Sequence, residues 1–298
     1  MKKREQIIQG STIFMTGATS GLGKVSALKA ANEGATLIIM ARNKEKSIKI
    51  KTDYKNQYPD GKGKIDVVEG DLNSFKSVND ACKKVLSKYS VIDMIINNAG
   101  LMNFERTLTI DHIEETLQVN FLSHLLICEL LFEKLKNSKS PKIIFTSSAL
   151  HQGEINFNDL EFEKGFSSFK VYRQSKLSII LICRYLAPYL AKQNICIYSN
   201  HPGMVRTNLG RSAGWFSKLI FGVMGKSTEK GSKTLSYLIS TPNSKLKSGE
   251  YYAGEKIKKT TAESYDLEVA KKLLNFSYKY FDSYLPEKSS GIIKLSNQ

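Results

Sequence analysis

The stretch Ser-Thr-Ile-Phe-Met-Thr-Gly-Ala-Thr-Ser-Gly-Leu-Gly-Lys at residues 11–24 indicates the fold of the whole chain. An apolar, β-branched run is followed by Gly17, Gly21 and Gly23 and then by a helical pattern. In such a strand–turn–helix unit, glycines let the backbone approach a pyrophosphate at the helix N-terminus. The spacing Gly-x-x-x-Gly-x-Gly differs from the Gly-x-Gly-x-x-Gly dehydrogenase fingerprint. We predict a dinucleotide-binding unit here, with an ordinary glycine turn as the alternative.

The same alternation of strand and helix continues along the chain. The predicted strands are Thr12–Met15, Thr36–Met40, Ile65–Val68, Ile92–Ile96, Lys142–Thr146, Ile195–Ser199 and Glu250–Ala253. The predicted helices are Leu22–Asn32, Lys44–Tyr54, Phe75–Lys88, Ile110–Lys136 and Tyr172–Lys192. This order favours an α/β fold with a doubly wound parallel sheet and helices on both faces. Since no linker interrupts it, we predict a single domain over residues 1–285 and a flexible tail over 286–298.

The charge of the chain is strongly basic. Its 298 residues carry a net charge of +16, with 41% apolar residues. The isoelectric point is about 9.5 and the mean hydropathy −0.27, which is typical of a globular protein. The lysines are scattered, so a solvated surface is one reading, and an anionic cofactor or an anionic membrane surface are others. Nucleic acid is disfavoured because no basic cluster has interleaved aromatic residues.

The cysteines and the N-terminus indicate a reducing compartment. Cys82, Cys128, Cys183 and Cys196 show no metal-binding spacing, so we predict reduced thiols and no metal. Met1–Ile8 has a charged start but no apolar segment of a secretory signal. No run approaches the roughly 18 apolar residues of a membrane span. We therefore expect a cytoplasmic protein.

The end of the second predicted strand reads Met40-Ala41-Arg42-Asn43-Lys44. An acidic residue at this position would hydrogen-bond a ribose 2′-OH. This stretch has no carboxylate, and Arg42 can form a charge-assisted pair with a 2′-phosphate. We therefore predict a preference for NADP(H) over NAD(H), with an ordinary surface arginine as the alternative.

Tyr172 and Lys176 are four residues apart in a predicted helix, so both project from one face. A free phenol has a pKa of about 10 and is a poor acid–base catalyst near neutral pH. An ammonium group beside it favours the phenolate, and lowering the pKa to about 7 requires roughly 4 kcal/mol. A solvated helix face is the alternative reading of the pair alone.

These motifs occur together with Asn97-Asn98-Ala99-Gly100 after the fourth strand and Ser148 after the fifth. With them, the chain resembles the short-chain dehydrogenase/reductase family from about residue 10 to residue 255. The resemblance implies that Tyr172 is the general acid/base and that Lys176 binds the nicotinamide ribose and lowers the tyrosine pKa. It also implies that Ser148 orients the substrate oxygen and that Asn120 holds a water of a proton relay.

The resemblance further implies a set of cofactor contacts. Asp71 would lie on the adenine side, Asn98 on the ribose side, and Thr207 against the nicotinamide amide. The full implied set is Gly17, Ser20, Gly21, Leu22, Gly23, Arg42, Asp71, Leu72, Asn98, Tyr172, Lys176, Val205 and Thr207.

The long stretch between Ser148 and Tyr172 resembles the retinol-dehydrogenase-like branch of that family. Ser248-Gly249-Glu250-Tyr251-Tyr252, before a helix predicted at about Ala262–Phe281, is similar to that branch as well. The branch often carries an N-terminal membrane anchor, which we do not find in this sequence. His151 could touch substrate, but an ordinary loop histidine is the reading we favour.

Residues 204–227 interrupt the alternation with a segment rich in glycine and apolar residues. Trp215, Phe216, Leu219, Ile220 and Val223 fall at helical spacing. The segment follows the sixth strand, where ligands bind in open α/β sheets. A hydrophobic lid, a patch on an anionic membrane, and simple core packing all fit this pattern.

The sequence thus predicts an NADP(H)-dependent oxidoreductase that interconverts a carbonyl and an alcohol of an apolar or lipid-like substrate. The alternative is a non-catalytic nucleotide-sensing scaffold or regulator on the same fold. Neither a nucleic-acid partner nor a membrane span is expected, whereas peripheral membrane contact and a homo-oligomer are compatible with the sequence.

Overall fold

The computed structural model describes residues 8–202, 228–285 and 291–292. These residues build one eight-stranded sheet in the order β3-β2-β1-β4-β5-β6-β7-β8. Strands β1 to β7 pair in parallel, and β8 runs antiparallel to β7. The strands are β1 (Thr12–Thr16), β2 (Thr36–Ala41), β3 (Lys64–Glu69), β4 (Met94–Asn97), β5 (Lys142–Thr146), β6 (Cys196–His201), β7 (Tyr251–Ala253) and β8 (Lys256–Ile257).

Helices connect the strands. They are α1 (Gly21–Asn32), α2 (Lys44–Gln57), α3 (Phe75–Lys88), α4 (Ser123–Lys136), α5 (Ser168–Ala191), α6 (Thr228–Ser240) and α7 (Leu267–Tyr278). A short α-helical piece (Glu115–Leu117) and a π-helical turn (Gln118–Leu122) lead into α4. Turns of 3-10 helix lie at Asn243–Lys245, Ala262–Tyr265 and Asp282–Tyr284.

Helices cover both faces of the sheet, because successive residues of each strand point to opposite sides. On β1, Phe14 joins the core formed with α3, α4, α5 and α7. Its neighbours Ile13 and Met15 join the core formed with α1, α2 and α6. Both cores are lined by fully buried aliphatic and aromatic side chains. The doubly wound parallel sheet predicted from the sequence is confirmed.

Most element boundaries differ from the prediction by one to a few residues. For example, α5 begins at Ser168 rather than at Tyr172, and the helix expected at about Ala262–Phe281 is a 3-10 turn followed by α7 from Leu267. The helix expected from Ile110 begins only at Glu115, because the Glu114 carboxylate accepts hydrogen bonds from the backbone N–H groups of Thr116 (3.0 Å) and Leu117 (2.7 Å). A side-chain oxygen bonded to the first free N–H groups fixes where a helix starts. Strand β8 was not predicted, since its two exposed residues show no apolar alternation.

Lys142, the first residue of β5, is fully buried and holds the end of α6. Its Nζ donates to the carbonyl oxygens of Leu238 (2.9 Å) and Ile239 (3.4 Å), and also to that of Thr241. Carbonyls at a helix C-terminus lack intrahelical partners and favour a cation. Burial lowers the pKa of Lys142 to about 8.

Near the C-terminus, Ile292 is buried in the core that contains α4 and α7. Its backbone N–H donates to Glu129 Oε2 at 3.0 Å, and Glu129 Oε1 also accepts a hydrogen bond from Tyr278. Residues 286–290 and 293–298 lie outside the described residues, so the flexibility of the tail stays a prediction there, while Ile292 itself is anchored.

The strand order reverses between β1 and β4, because β2 lies on one side of β1 and β4 on the other. The connections that leave these two strands run to opposite faces and open a crevice at their carboxyl ends. In open α/β sheets this is where ligands bind. The candidate site is built at this crevice.

Candidate active site

The glycine turn after β1 is shaped to expose backbone N–H groups. Gly17 and Gly21 have φ angles of +65° and +58°. A Cβ on Gly23 would lie 2.1 Å from the Gly17 carbonyl oxygen, whereas one on Gly21 would meet nothing within 4 Å. Ser20 occupies the N-cap of α1 without a side-chain capping bond, and the first turn has no acidic residue. The first N–H groups of α1, around Leu22, are therefore available to an anion.

Asn98 ties the glycine turn to the strands on its other side. Its Nδ2 donates to the Gly17 carbonyl oxygen at 3.0 Å, and its Oδ1 accepts from Thr146 Oγ1 at 3.1 Å. Its backbone N–H donates to Thr16 Oγ1 at 3.0 Å. Both ends of the amide are therefore engaged, and Asn98 fixes the turn relative to β5.

Thr16 and His124 were not identified from the sequence. Thr16 Oγ1 accepts from the backbone N–H of Ala99 (3.1 Å) and lies 2.9 Å from His124 Nε2. His124 Nδ1 lies 3.2 Å from the Asn120 carbonyl oxygen, so Nδ1 must be the donor and Nε2 the acceptor. Burial lowers the pKa of His124 to about 3, which keeps the ring neutral. The only sequence signal for His124 is its position one helical turn after Asn120.

Tyr172 and Lys176 lie on one face of α5, as predicted, and both are buried. Lys176 Nζ donates to the Thr146 carbonyl oxygen at 3.0 Å and lies 5.5 Å from the centre of the Tyr172 ring. Burial lowers the pKa of Lys176 to about 7. Burial raises the pKa of Tyr172, and a hydrogen bond with Ser148 opposes that effect.

The expected lowering of the Tyr172 pKa relied on Lys176 together with a bound cation, whereas burial of the phenol acts in the opposite direction. Loss of water around the phenol disfavours its charged form. The same loss of water disfavours the charged form of Lys176, so this residue stabilises a Tyr172 phenolate less than expected. In this structure the phenol is held in its protonated form at neutral pH.

The two serines after β5 face different partners. Ser147 is buried and its Oγ donates to the Lys176 carbonyl oxygen at 2.8 Å, which attaches β5 to α5. Ser148 is half-buried, and its Oγ accepts from the backbone N–H of Leu150 at 3.1 Å. Of the pair, Ser148 is the one that interacts with the Tyr172 hydroxyl, and its predicted role toward a substrate oxygen stays a prediction.

His151 lies in the loop that follows β5, in line with the favoured reading, and whether it touches substrate stays a prediction. It is buried, and its Nδ1 lies 2.8 Å from the Ser148 carbonyl oxygen. The same oxygen accepts from Tyr251 Oη at 3.0 Å. Tyr251 was given no role from the sequence, because 103 residues separate it from Ser148.

Asn120 lies in the π-helical turn Gln118–Leu122 and is fully buried. Its Oδ1 accepts from the Leu101 N–H at 2.8 Å, and its Nδ2 donates to the Leu101 carbonyl oxygen at 2.9 Å and to Ser175 Oγ at 3.1 Å. Asn120 thus joins the loop after β4 to α5, beside Lys176. Turns of π-helix occur often at functional sites.

The residues predicted for the adenine end lie at the ends of β2 and β3. Arg42 is exposed, and its Nη1 lies 3.7 Å from Asp71 Oδ1. Asp71 Oδ1 also accepts from the Asn73 N–H at 3.1 Å. Leu72 is buried, and its carbonyl oxygen accepts from Ser123 Oγ at 2.6 Å. The sequence indicated separate contacts for Arg42 and Asp71, but not that they pair.

Part of the predicted site lies outside the described residues. This applies to the cofactor contacts Val205 and Thr207 and to the whole segment 204–227 with Trp215. The roles given to them stay predictions.

The insertion between Ser148 and α5 is a packed loop. Residues 149–167 contain neither helix nor strand. Gln174 of α5 holds the loop, since it accepts from the Asn156 N–H and donates to the Leu160 carbonyl oxygen, both at 2.9 Å. An open cleft of about 310 Å³ separates the loop from α7 and is lined by neither Ser148 nor Tyr172.

Across residues 8–202, 228–285 and 291–292, no cluster of three or more His, Cys, Asp or Glu side chains is arranged to hold a metal ion. Among the helices of that part of the chain, none has both the length and the apolar character of a membrane span.

Comparison with known proteins agrees with this geometry. The chain matches the model of the family described as short chain dehydrogenase over residues 11–215. Retinol dehydrogenase 14 of Mus musculus is 34% identical over 286 residues, which cover 91% of this chain and 86% of that protein. A crystal structure of an uncharacterized protein from Mycobacterium paratuberculosis has a TM-score of 0.75 at 26% identity and covers 94% of this chain and 96% of its own.

A short chain dehydrogenase from Escherichia coli CFT073, solved in complex with NADPH, has a TM-score of 0.65 at 20% identity. It covers 85% of this chain and 99% of its own and supports the same fold. The family match spans more than half of the chain, and the mouse relative aligns over most of both proteins. On these grounds the protein is a member of the short-chain dehydrogenase/reductase family of oxidoreductases.

Proposed function

We propose that this oxidoreductase uses NADP(H) to interconvert a carbonyl and an alcohol on an apolar substrate, with Tyr172, Lys176 and Ser148 as its catalytic residues. The observation that carries the proposal is the meeting of these three side chains at the carboxyl end of β5. Ser148 interacts with the Tyr172 hydroxyl and opposes the rise in the pKa of that phenol, and Lys176 Nζ donates to the Thr146 carbonyl oxygen beside them. A general acid, an orienting hydroxyl and a cation are the groups that such a reaction needs.

The residues present fit a nicotinamide dinucleotide. The uncapped N-terminus of α1 and the open space at Gly21 would receive the pyrophosphate. Asn98 and Lys176 would hold the ribose next to the nicotinamide, while Asp71 and Leu72 would contact the adenine side. When bound, the cofactor donates or accepts a hydride, so the protein supplies position and electrostatics.

Arg42 supports the choice of NADP(H). Its guanidinium is exposed at the end of β2, where no carboxylate precedes α2. The nearest acid, Asp71, is itself held by Arg42 and by the Asn73 N–H. A 2′-phosphate would offer Arg42 a stronger, charge-assisted partner than an exposed carboxylate does.

In the reductive direction, Ser148 and Tyr172 would hydrogen-bond the substrate oxygen on which negative charge develops. Tyr172 would then deliver its hydroxyl proton to that oxygen. Burial keeps this phenol protonated, which suits a proton donor. Lys176 would stabilise the phenolate that remains. Asn120, which is bonded to Leu101 and Ser175, would hold a water of the proton relay.

The apolar character of the substrate rests on two supports. The name of the mouse relative contains retinol, an apolar alcohol. The segment 204–227 of this chain contains Trp215, Phe216 and Leu219 and follows β6 directly.

A cytoplasmic location is part of the same proposal, supported by four free cysteines, of which three are buried. Contact with an anionic membrane and formation of a homo-oligomer are both compatible with the proposal.

A substrate panel tests the proposal. Aldehydes, ketones and alcohols of increasing chain length are incubated with NADPH, NADP⁺, NADH or NAD⁺, and absorbance of the dihydronicotinamide is followed. We expect turnover with NADP(H), at rates that rise with the length of the apolar chain. Binding of NADPH without turnover of any compound would instead support a nucleotide-sensing scaffold.

A further inference from the structure

Two aromatic side chains converge on one backbone atom of the proposed active site. The carbonyl oxygen of Ser148 accepts a hydrogen bond from Tyr251 Oη at 3.0 Å and another from His151 Nδ1 at 2.8 Å. The two rings also pack against each other, with centroids 5.3 Å apart. Both side chains are buried, at 3% exposure for Tyr251 and 6% for His151. We call His151 and Tyr251 the carbonyl clamp.

The clamp replaces bonds that the sheet does not provide. Strand β5 ends at Thr146, and Ser148 begins the loop that runs to α5. A loop carbonyl without a ladder partner leaves its peptide free to rotate unless side chains hold it. His151 holds it from three residues downstream, and Tyr251 holds it from β7, where it pairs with Ser199 of β6.

The geometry also fixes the protonation of His151. A carbonyl oxygen only accepts, so Nδ1 carries the proton and Nε2 is bare in the neutral ring. Arg184 and His201 interact electrostatically with the His151 ring, and the ring of Tyr251 packs against it. Burial and the charge of Arg184 lower the pKa of His151, which favours the neutral ring that the clamp uses.

We infer that His151 and Tyr251 are positioning residues that hold the Ser148 peptide so that the Ser148 hydroxyl meets Tyr172 and the substrate oxygen. The inference rests on the proposed function, in which Ser148 orients that oxygen. Neither clamp residue needs to touch substrate. A displacement of about 1 Å at a reacting group can reduce the rate by about a hundredfold, so a fixed peptide matters for catalysis.

Four variants test the inference. Tyr251→Phe removes the hydroxyl and keeps the ring, and His151→Leu removes the donor nitrogen. His151→Asn places an amide N–H near the position of Nδ1 and so can restore the bond. Tyr252→Phe is the matched control, because Tyr252 is equally buried on β7 but its hydroxyl accepts from the Lys247 N–H, on the other face of the sheet.

The variants are compared by kcat, by KM for the carbonyl substrate, by Kd for NADPH and by Tm. We expect Tyr251→Phe and His151→Leu each to lower kcat by about five- to tenfold, the scale of one hydrogen bond, with Kd for NADPH unchanged. His151→Asn should recover most of the lost kcat. Tyr252→Phe should keep the wild-type kcat even where its Tm falls.

Three outcomes would overturn the clamp: a wild-type kcat in Tyr251→Phe, an equal loss of kcat in Tyr252→Phe, or no recovery in His151→Asn relative to His151→Leu. A readout without turnover separates this inference from the proposed function. In ¹⁵N NMR spectra of the histidine rings, the signal that disappears in His151→Asn should show a protonated Nδ1.

If the wild-type protein turns over none of the compounds, the proposed function fails, and the NMR signal still decides on the clamp. A protonated Nδ1 would support it, and a protonated Nε2 would overturn it whatever the activity.

Discussion

Arg42 Nη1 lies 3.7 Å from Asp71 Oδ1, so two residues expected to hold different parts of one cofactor contact each other across the ends of β2 and β3. The side chains are 63% and 32% exposed. An ion pair this exposed contributes at most about 1 kcal/mol, so Arg42 is easily redirected to a phosphate. In the proposed function, the pair would keep the guanidinium near the ribose 2′ position of the cofactor.

Arg42→Ala should weaken NADPH binding by about 1.5–3 kcal/mol, the scale of a charged hydrogen bond. NADH binding should hardly change, because NADH lacks the 2′-phosphate. Isothermal titration with both cofactors measures the difference. Lys51→Ala, an exposed cation on α2, serves as the control for net charge. Equal affinity of the intact protein for NADPH and NADH would contradict the role of Arg42.

Tyr172→Phe should reduce kcat by roughly a thousandfold, since only the proton donor is lost. The Kd for NADPH should stay nearly unchanged. Lys176→Ala should reduce kcat and weaken NADPH binding together, because its ammonium would also reach the ribose, and the double variant should be far from additive. Tyr185→Phe, a buried tyrosine on the same helix, is the control and should remain active. A Tyr172→Phe protein with most of its activity would refute the assignment.

The pH dependence should differ between the two directions of the reaction. Burial raises the pKa of Tyr172, so the protonated phenol persists through neutral and mildly alkaline pH. Reduction uses this form, so Tyr172 itself should not limit reduction between about pH 6 and about pH 9, and a fall in rate above about pH 7 should report loss of the charge of Lys176, whose pKa is about 7. Oxidation needs the phenolate and should rise with pH.

Initial rates in both directions at saturating substrate and cofactor measure this difference. An oxidation rate that is already level below about pH 8 would mean that Lys176 overcomes the burial of Tyr172 and lowers its pKa after all.

Stability should depend on pH through Lys142. Its pKa in the folded chain is about 8, below the ordinary value of 10.5, so the unfolded chain binds more protons between these values. Stability should therefore rise with pH across this window, by roughly 3 kcal/mol relative to a chain without the group. Urea unfolding of the wild type and of Lys142→Met at about pH 7 to about pH 10 measures it. Parallel stability curves for the two proteins would rule out a buried, titrating Lys142.

Much of this structure follows from local patterns in the sequence. The strand runs and the glycine turn identify the doubly wound sheet, because burial on both faces requires continuous apolar strands. Phe75–Lys88 and Lys142–Thr146 are found with the boundaries that the sequence predicted. Tyr172 and Lys176 were found because helical spacing places them on one face.

The rest depended on contacts between distant segments. Tyr251 reaches Ser148 only through the pairing of β7 with β6, and no spacing in the chain reveals that pairing. The Tyr172 pKa was expected to fall because the neighbouring charge is visible in the sequence, whereas the burial that raises it is not. The start of the helical segment that leads into α4 was misplaced, because Glu114 caps the short piece Glu115–Leu117 through side-chain hydrogen bonds.

The π-helical turn at Gln118–Leu122 determines which direction each side chain of α4 faces. A π-turn holds one residue more than an α-helical turn, so α4 is rotated by about 100° from the course that regular coiling would give. That offset lets Asn120 face Leu101 and α5 while Phe121 and Leu125 stay in the core. Deleting a single residue here would rotate α4 by about 100° and move buried side chains such as Leu125 out of their packing positions, so we expect this turn to tolerate no change of length.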